Sequence, residues 1–450
     1  MSVMPQVPLS ACAGIVWPAF TNDAAARMLT LQYQFEQTQW WPAERLQGLQ
    51  LQQFSQIFRH AVRTVPFYRQ RFAQWADSDI VSWEQYRELP LSTRREIQQA
   101  GASMHSTAPP KAHGAVISTQ SSGSTGSPLV TLGTAWTQLM WHALLLRDHL
   151  WHRRDLRGKL AAIRSKTADG NFPDWGPATS MFATGPSVVR SLTIDIDEQL
   201  RWLAAENPDY VLSLATNLRA LARRSLELGI RLPRLKQART FGETLQPDAR
   251  DFVRKAWGVD IADSYSSEEL GYIALQCPQH PHYHVLAESL IVEVLNNENR
   301  PCAPGEVGRV VVSTLQNFAM PLLRYASGDY AVAGEACACG RGLPVLTRIA
   351  GRQRNMLVRP DGVRYWPSFP ISVWAHLAPI VQLQLVQQAA DRIEARLVMT
   401  RDFAGDEADR LITALQQSLG YPFQITLRRV AVIPRDAGQK YEDFMSMVTD

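Results

Sequence analysis

From about residue 115 to 345 the chain alternates short β-rich runs with helical stretches, and that alternation restricts it to a mixed α/β layer architecture. Tyr210 to Leu214, Leu290 to Leu295 and Gly308 to Ser313 carry the strand signal, and Leu218 to Leu228 a helical one. Earlier, Leu49 to Thr64 spaces Phe54, Ile57, Phe58 and Val62 as a helix does, until Pro66 stops the pattern. Thr93-Arg94-Arg95-Glu96, after Pro90, reads as a capping box in which side chains satisfy the first helical amides. The last hundred residues follow a different pattern. Pro360-Asp361-Gly362 is a turn between two short strands within Asn355 to Tyr365, and Val381 to Val386 and Arg392 to Met399 are strand-like. An amphipathic helix follows over Asp406 to Leu419, with Leu411, Leu415 and Leu419 on one face and Gly420 after its end. A strand over Ile425 to Ile433 then leads into a polar loop, Pro434 to Lys440. A chain of 450 residues exceeds the size at which one core keeps growing. The expectation is an α/β protein with a large mixed α/β domain over 1–351 and a small α+β domain over 352–450.

Composition excludes several classes. Apolar residues make up 46% and charged residues 20%, the balance of a folded chain rather than a disordered one. The formal charge is only +4, and no long Lys/Arg run builds a phosphate-tracking stripe, so no nucleic-acid partner is expected. Arg153-Arg154, Arg223-Arg224 and Arg428-Arg429 read as solvated pairs. No stretch has the apolar length of a membrane-spanning helix, so no membrane insertion is expected. Met1 to Phe20 lacks the basic start and continuous apolar core of a secretory signal, and five cysteines at this length make no extracellular disulfide framework. A cytoplasmic location is expected.

The segment richest in chemical information is Ser121-Ser122-Gly123-Ser124-Thr125-Gly126-Ser127-Pro128. Small hydroxylated residues interleaved with glycine expose backbone amides and hydroxyls together, which suits a polyphosphate, although a plain flexible loop has the same composition. It is not a Walker loop, because no Lys follows the last glycine. Other candidates are ambiguous singly. Asp329 after Gly328 reads equally as a turn residue, Glu269 as an acid at a helix start, and Lys440 as a solvated surface lysine. Cysteine and histidine gather in two clusters, Cys277 to His284 and Cys337-Ala338-Cys339. They supply what tetrahedral zinc takes, or else are buried thiols beside a His-rich loop.

The motifs gain meaning as a set. Ser121 to Pro128, Asp263-Ser264-Tyr265-Ser266-Ser267-Glu268-Glu269-Leu270-Gly271, Arg324 to Asp329, Arg348-Ile349-Ala350-Gly351-Arg352 and Pro434 to Lys440 resemble, in order, the core motifs of the adenylate-forming superfamily. The branch they resemble most is the phenylacetate–CoA ligase group with its coenzyme F390 synthetase relatives. The resemblance runs from about Val65-Pro66-Phe67-Tyr68 to Lys440. It implies an AMP-forming ligase that uses ATP and Mg2+ to adenylate a carboxylic acid. The acyl group then passes to a phosphopantetheine thiol, either of CoA or of an acyl carrier protein, whose acidic helix would suit a mildly basic partner. An amine acceptor uses the same adenylate and is the alternative. A degenerate nucleotide-binding scaffold is a third reading.

The resemblance also implies roles. Ser121, Ser122, Gly123, Ser124, Thr125 and Gly126 would hold the ATP phosphates. Gly242, Glu243 and Tyr265 would frame the adenine, Glu269 would help hold magnesium, Asp329 would accept from both ribose hydroxyls, and Arg352 would contact the nucleotide. Lys440, on a mobile C-terminal lid, would bridge the acyl carboxylate and the α-phosphate. Two departures stand out: Ser127 where many relatives carry Lys, and Arg354 where they often carry an acidic or lysine hinge. Relatives also share a His before Val with an acid four residues on, which His284-Val285 and Glu288 match. Cys277, His284, Cys337 and Cys339 are therefore the expected structural zinc ligands, in preference to His280 or His282.

The acid is expected between Tyr210 to Thr216, Phe241-Gly242-Glu243 and Ser264 to Ser267, on Tyr210, Ser213, Phe241, Ser264 and Ser266. Trp136 and Gly185-Pro186 read either as pocket wall or as core and turn. The branch favours aryl and arylacetic acids.

Overall fold

The computed structural model describes residues 7–75, 78–120, 129–165, 167–434 and 441–448. The chain forms two compact units: residues through Leu245 together with Ala249–Ile349, and Gln246–Asp248 together with Ala350–Asp450.

The first unit is organised by a sheet of 13 strands. Its central run is parallel, in the order Ile261–Ser267, Gln237–Phe241, Tyr210–Leu214, Leu160–Arg164, Ser187–Ser191. The middle strand, Tyr210–Leu214, reads as a near-continuous apolar run because both faces are covered, and all five of its residues are buried. Helices Ile196–Glu206 and Ala215–Leu228 cover one face through Leu200, Leu203, Leu218 and Leu221. Gly229, at φ +67°, ends the second of these in the left-handed conformation a glycine adopts freely. Helix Ala135–Trp151 packs through Ala143, Leu144, Leu146 and Trp151 into a separate core.

Beyond Ile261–Ser267 the sheet turns antiparallel, through Gly271–Gln276 and Tyr283–Val285 and on to Val345–Arg352, Tyr325–Ala333, Val307–Thr314 and Leu290–Leu295. Helix Ala43–Thr64 buries Phe54, Ile57 and Phe58 in the core shared with Ile273, Ile291, Val310 and Val312. It starts six residues ahead of the expected Leu49, because Pro42 opens it and Leu46 and Gln50 already face inward. The capping box forms as expected: Glu96 N–H donates to Thr93 Oγ1 at 3.2 Å, and Thr93 N–H to Glu96 Oε2 at 2.7 Å.

Arg154 corrects one expectation. It is 1% exposed rather than solvated, and its Nη1 donates to Asp148 Oδ2 at 2.7 Å, which Arg239 Nη2 also reaches at 2.7 Å. Burial alone would raise the Asp148 carboxyl, but these two guanidinium groups hold it well below the usual carboxylate range. Burial pushes His152 down to about 4.

The second unit has a four-stranded sheet ordered Gln424–Arg429, Arg392–Met399, Ile380–Ala389, Phe444–Ser446. Helix Glu407–Ser418 buries Leu411 and Leu415. The last long strand stops at Arg429 rather than Ile433, since its pairing closes opposite Leu397. Among the described residues, no helix is long and apolar enough to cross a membrane.

Candidate active site

In the parallel run Leu214 is level with Phe241, and Phe241 with Ser264. Gly242 and Glu243 therefore follow the carboxyl end of a central parallel strand, the edge where open α/β sheets bind ligands. Gly242 turns there at φ +73°. Glu243 Oε2 accepts from Thr216 N–H at 2.9 Å and Thr216 Oγ1 at 2.8 Å, which places a carboxylate at the start of helix Ala215–Leu228.

Two further acids lie in the first unit, Asp329 on a strand and Glu269 in a turn, each engaged by another side chain. Tyr265 OH donates to Asp329 Oδ2 at 2.7 Å, so the tyrosine expected beside the adenine also fixes the acid expected at the ribose. Glu269 lies in the turn between Ile261–Ser267 and Gly271–Gln276, with its side chain 8% exposed. Arg94 Nη1 donates to its Oε1 at 2.8 Å, and Tyr325 OH lies 3.4 Å from the same oxygen. Arg94 reaches this position because Ser92 and Thr93 pair in parallel with Tyr325 and Ala326, just ahead of the helix that Arg94 begins. The donor set fits magnesium, which takes one or two carboxylates and completes its octahedron with phosphates and water.

The other expected nucleotide contacts divide. Arg352 ends the strand Val345–Arg352 in the second unit, where its carbonyl accepts from Trp366 Nε1 at 3.0 Å. Arg354 pairs with Glu442 in the same unit. Ser121, Ser122, Gly123, Ser124, Thr125, Gly126 and Lys440 lie outside the described residues.

A cavity of about 540 Å³ opens in the first unit. Its wall includes Trp141 and His142 of helix Ala135–Trp151, Gly271 and Tyr272 after the Glu268-Glu269 turn, and Gln316. The Trp141 and Tyr272 rings lie 4.6 Å apart and tilted by 39°. Gly271 turns at φ +78°, which favours glycine, and the Trp141 ring packs over it at van der Waals distance. Burial pushes His142 down, favouring the neutral imidazole. None of the residues expected to hold the acid lines this cavity. Tyr210 is buried with its OH accepting from Asp155 N–H at 2.9 Å, and Ser213 is buried with its Oγ accepting from Asn217 Nδ2 at 3.0 Å. Ser264 Oγ donates to Thr240 O at 3.1 Å, Ser266 sits opposite Tyr272 in register, and Phe241 lies under Arg164, 5.9 Å from the ring centroid. Trp136 donates to Ala112 O at 2.8 Å and is off the cavity wall. The backbone at Arg157 and Gly158 packs against Gly185 so closely that a Cβ would lie 2.2 Å from Arg157 O. Trp141 and Tyr272 have no sequence signature; 130 residues of chain separate them, and only the fold joins them.

A second concentration of polar groups is closed on itself. The candidate ligand atoms of Cys277, His284, Cys337 and Cys339 all lie within 4.8 Å of one another. Cys277 Sγ and Cys337 Sγ are 4.0 Å apart, and Cys339 Sγ is 3.4 Å from His284 Nε2. Zinc–sulfur bonds of about 2.3 Å in a tetrahedron separate sulfurs by about 3.8 Å, so the set fits zinc and is too open for a disulfide. Burial pushes the His284 imidazole down to about 3, which keeps it neutral and able to ligate. His282 Nε2 lies 3.0 Å from Cys337 Sγ as a neighbour of the set. Three thiolates on a divalent ion leave one negative charge. Arg341, 9% exposed and stacked on Trp40 and Trp151, brings Nη1 to 3.5 Å from Cys339 Sγ and offsets it. Glu288, the acid four residues after His284, instead takes both terminal nitrogens of buried Arg147, at 3.0 and 3.1 Å.

No protein-family model matches the chain. It is 25% identical to the phenylacetate–coenzyme A ligase of Thermus thermophilus over 433 residues, covering 89% of this chain and 96% of that protein. With the phenylacetate–coenzyme A ligase of Escherichia coli it shares 24% identity over 421 residues, covering 88% and 94%. Among solved structures, 2-hydroxyisobutyryl-CoA ligase in the postadenylation state matches with a TM-score of 0.72 at 17% identity, over 91% of each chain. Anthranilate CoA ligase in complex with anthranoyl-AMP matches with a TM-score of 0.52 at 15% identity, over 72% of this chain and 65% of that one. The fold and the ordered motifs together define an adenylate-forming ligase. Within that class the chain is similar to the phenylacetate–CoA ligases, which it matches over nearly nine-tenths of its length.

Proposed function

We propose that this AMP-forming acid–CoA ligase activates an aromatic carboxylic acid, with the ring held in the cavity beside Trp141 and Tyr272. The observation that carries the reading is that cavity: its wall joins an aromatic pair to Glu269, so a ring bound there has its carboxylate close to the nucleotide edge. Paired rings favour a flat apolar acid through offset or edge contacts. Coenzyme A is the proposed acceptor, as it is in the names of both curated relatives.

The chemistry brings two anions together, so the protein must position them and offset charge as it develops. Asp329, fixed by Tyr265, takes the ribose hydroxyls, and the glycine-rich loop at Ser121 to Gly126 takes the phosphates. Glu269 would hold magnesium, which would supply charge compensation at the phosphates. The carboxylate oxygen attacks the α-phosphorus, a new O–P bond forms, and the bond to pyrophosphate breaks. By the likeness to adenylate-forming enzymes, Lys440 would offset charge on the α-phosphate and the acyl oxygen in this step. The Ala350–Asp450 unit acts as a lid that withdraws Lys440 before the CoA thiol attacks the acyl carbon and AMP leaves. Cys277, His284, Cys337 and Cys339 would hold a structural zinc that ties the fold together and takes no part in the reaction.

The test is product analysis by mass spectrometry after incubating the protein with ATP, Mg2+, CoA and a panel of benzoates and arylacetates. The expected result is an aryl-CoA thioester and AMP in equal amounts. AMP with acyl transfer only to a carrier protein or an amine would overturn the acceptor, and thioesters only from aliphatic acids would overturn the ring pocket.

A further inference from the structure

The sequence presents Arg94 only as the first residue of a capped helix, but its guanidinium reaches a carboxylate 175 residues away. We propose that Arg94 is a positioning residue for the nucleotide's metal: it grips Glu269 Oε1 and so leaves Oε2 aimed at the ion. The inference rests on the assignment of Glu269 to magnesium, and four observations support it.

The pair is close and largely shielded, at 2.8 Å with side-chain exposures of 22% and 8%. A carboxylate withdrawn from water is destabilised unless a partner offsets it, so Glu269 needs a resident cation before any metal arrives. Secondly, the grip falls on one oxygen. Arg94 Nη1 and Tyr325 OH both approach Oε1, and a hard cation needs a single carboxylate oxygen from the protein when phosphates supply the rest. Thirdly, Arg94 is delivered by backbone rather than by a long flexible reach. Ser92 N–H donates to Arg324 O at 2.9 Å, Ser92–Thr93 pairs with Tyr325–Ala326, and the Thr93–Glu96 box fixes the helix start. Fourthly, Asp329 lies on that same Tyr325–Ala333 strand. One short parallel pairing thus ties the metal carboxylate to the ribose carboxylate. Arg71 anchors the helix further, reaching Glu96 Oε1 at 2.9 Å.

Removing a side chain that orients a metal ligand typically weakens the metal about 10- to 100-fold. The test is binding of Mn2+, followed by electron paramagnetic resonance, to the full-length protein saturated with a non-hydrolysable ATP analogue. Arg94→Ala is expected to weaken Mn2+ at least tenfold. Arg94→Lys, which keeps a charge but loses the fixed fork, should fall between wild type and Arg94→Ala and guards against misfolding of the alanine variant. Arg95→Ala, one residue along on the exposed side, should match wild type. Glu269→Ala and the Arg94→Ala/Glu269→Ala pair should bind Mn2+ equally weakly, because the proposed effect of Arg94 on the metal passes through Glu269. Wild-type Mn2+ affinity in both folded Arg94 variants would overturn the proposal, and so would additive losses in the double variant. Strong Mn2+ binding in Glu269→Ala would overturn the underlying metal assignment instead, so the two failures are told apart.

Discussion

Glu269, at the proposed nucleotide edge, and the Cys277, His284, Cys337 and Cys339 set lie in the same unit, yet they satisfy their polar groups in opposite ways. Glu269 has one oxygen gripped by Arg94 and borders an open cavity. The four soft donors face one another inside the fold, with Arg341 as their counter-charge. A site that must exchange ligands every turnover is pre-positioned but left incomplete, whereas a structural metal site closes every position. The first should therefore register in kinetics and the second in stability.

The sharpest break of that contrast comes from Lys440. Lys440→Ala should slow adenylation by about 10²- to 10³-fold while leaving CoA transfer from supplied acyl-adenylate within a few-fold, read by separate half-reaction assays. Equal losses in both halves would remove the moving lid. For the closed set, Cys337→Ser should lose zinc by elemental analysis of untagged protein and lower Tm on the order of 10 °C. Its activity per folded molecule should stay within about twofold. Asp329→Ala should do the reverse, costing about 10- to 100-fold in kcat/KM for ATP with Tm nearly unchanged, as loss of a charged hydrogen bond at a half-exposed acid predicts. A last effect, read in stability against pH rather than in turnover, lies in the buried network around Asp148. Burial holds His152 at about 4 in the fold, against about 6.5 unfolded, so the unfolded chain binds the extra proton between those values. Stability should be whole above about pH 6.5 and fall by up to about 1.4 kcal/mol per pH unit toward pH 4 from this group. Urea unfolding of His152→Gln across that window should show a shallower slope, and an unchanged slope would remove His152 as the cause.

How much of this was legible in the sequence follows from the range of each interaction. The apolar run Tyr210–Leu214 and the helix that follows it are local patterns, and they fold as read. The Cys/His set was legible because few residue types compete for that chemistry, although choosing His284 over His282 needed the family likeness. The cavity was not legible: Trp141 and Tyr272 are ordinary core-like residues until a helix and a strand bring them together. Arg154 was read as solvated because its neighbour is another arginine, while its real partners, Asp148 and Arg239, are set by helix and sheet packing. Arg94 was read through the capping box alone, since nothing local announces Glu269.

The most direct test of adenylation is ATP–pyrophosphate exchange by the purified protein with benzoates, hydroxybenzoates, arylacetates, amino acids and fatty acids in turn. Exchange that depends on an aromatic acid, and fails without Mg2+, is the predicted result. Bound nucleotide with no exchange for any acid, in protein that remains folded, would contradict it and leave a nucleotide-binding scaffold as the function of this fold.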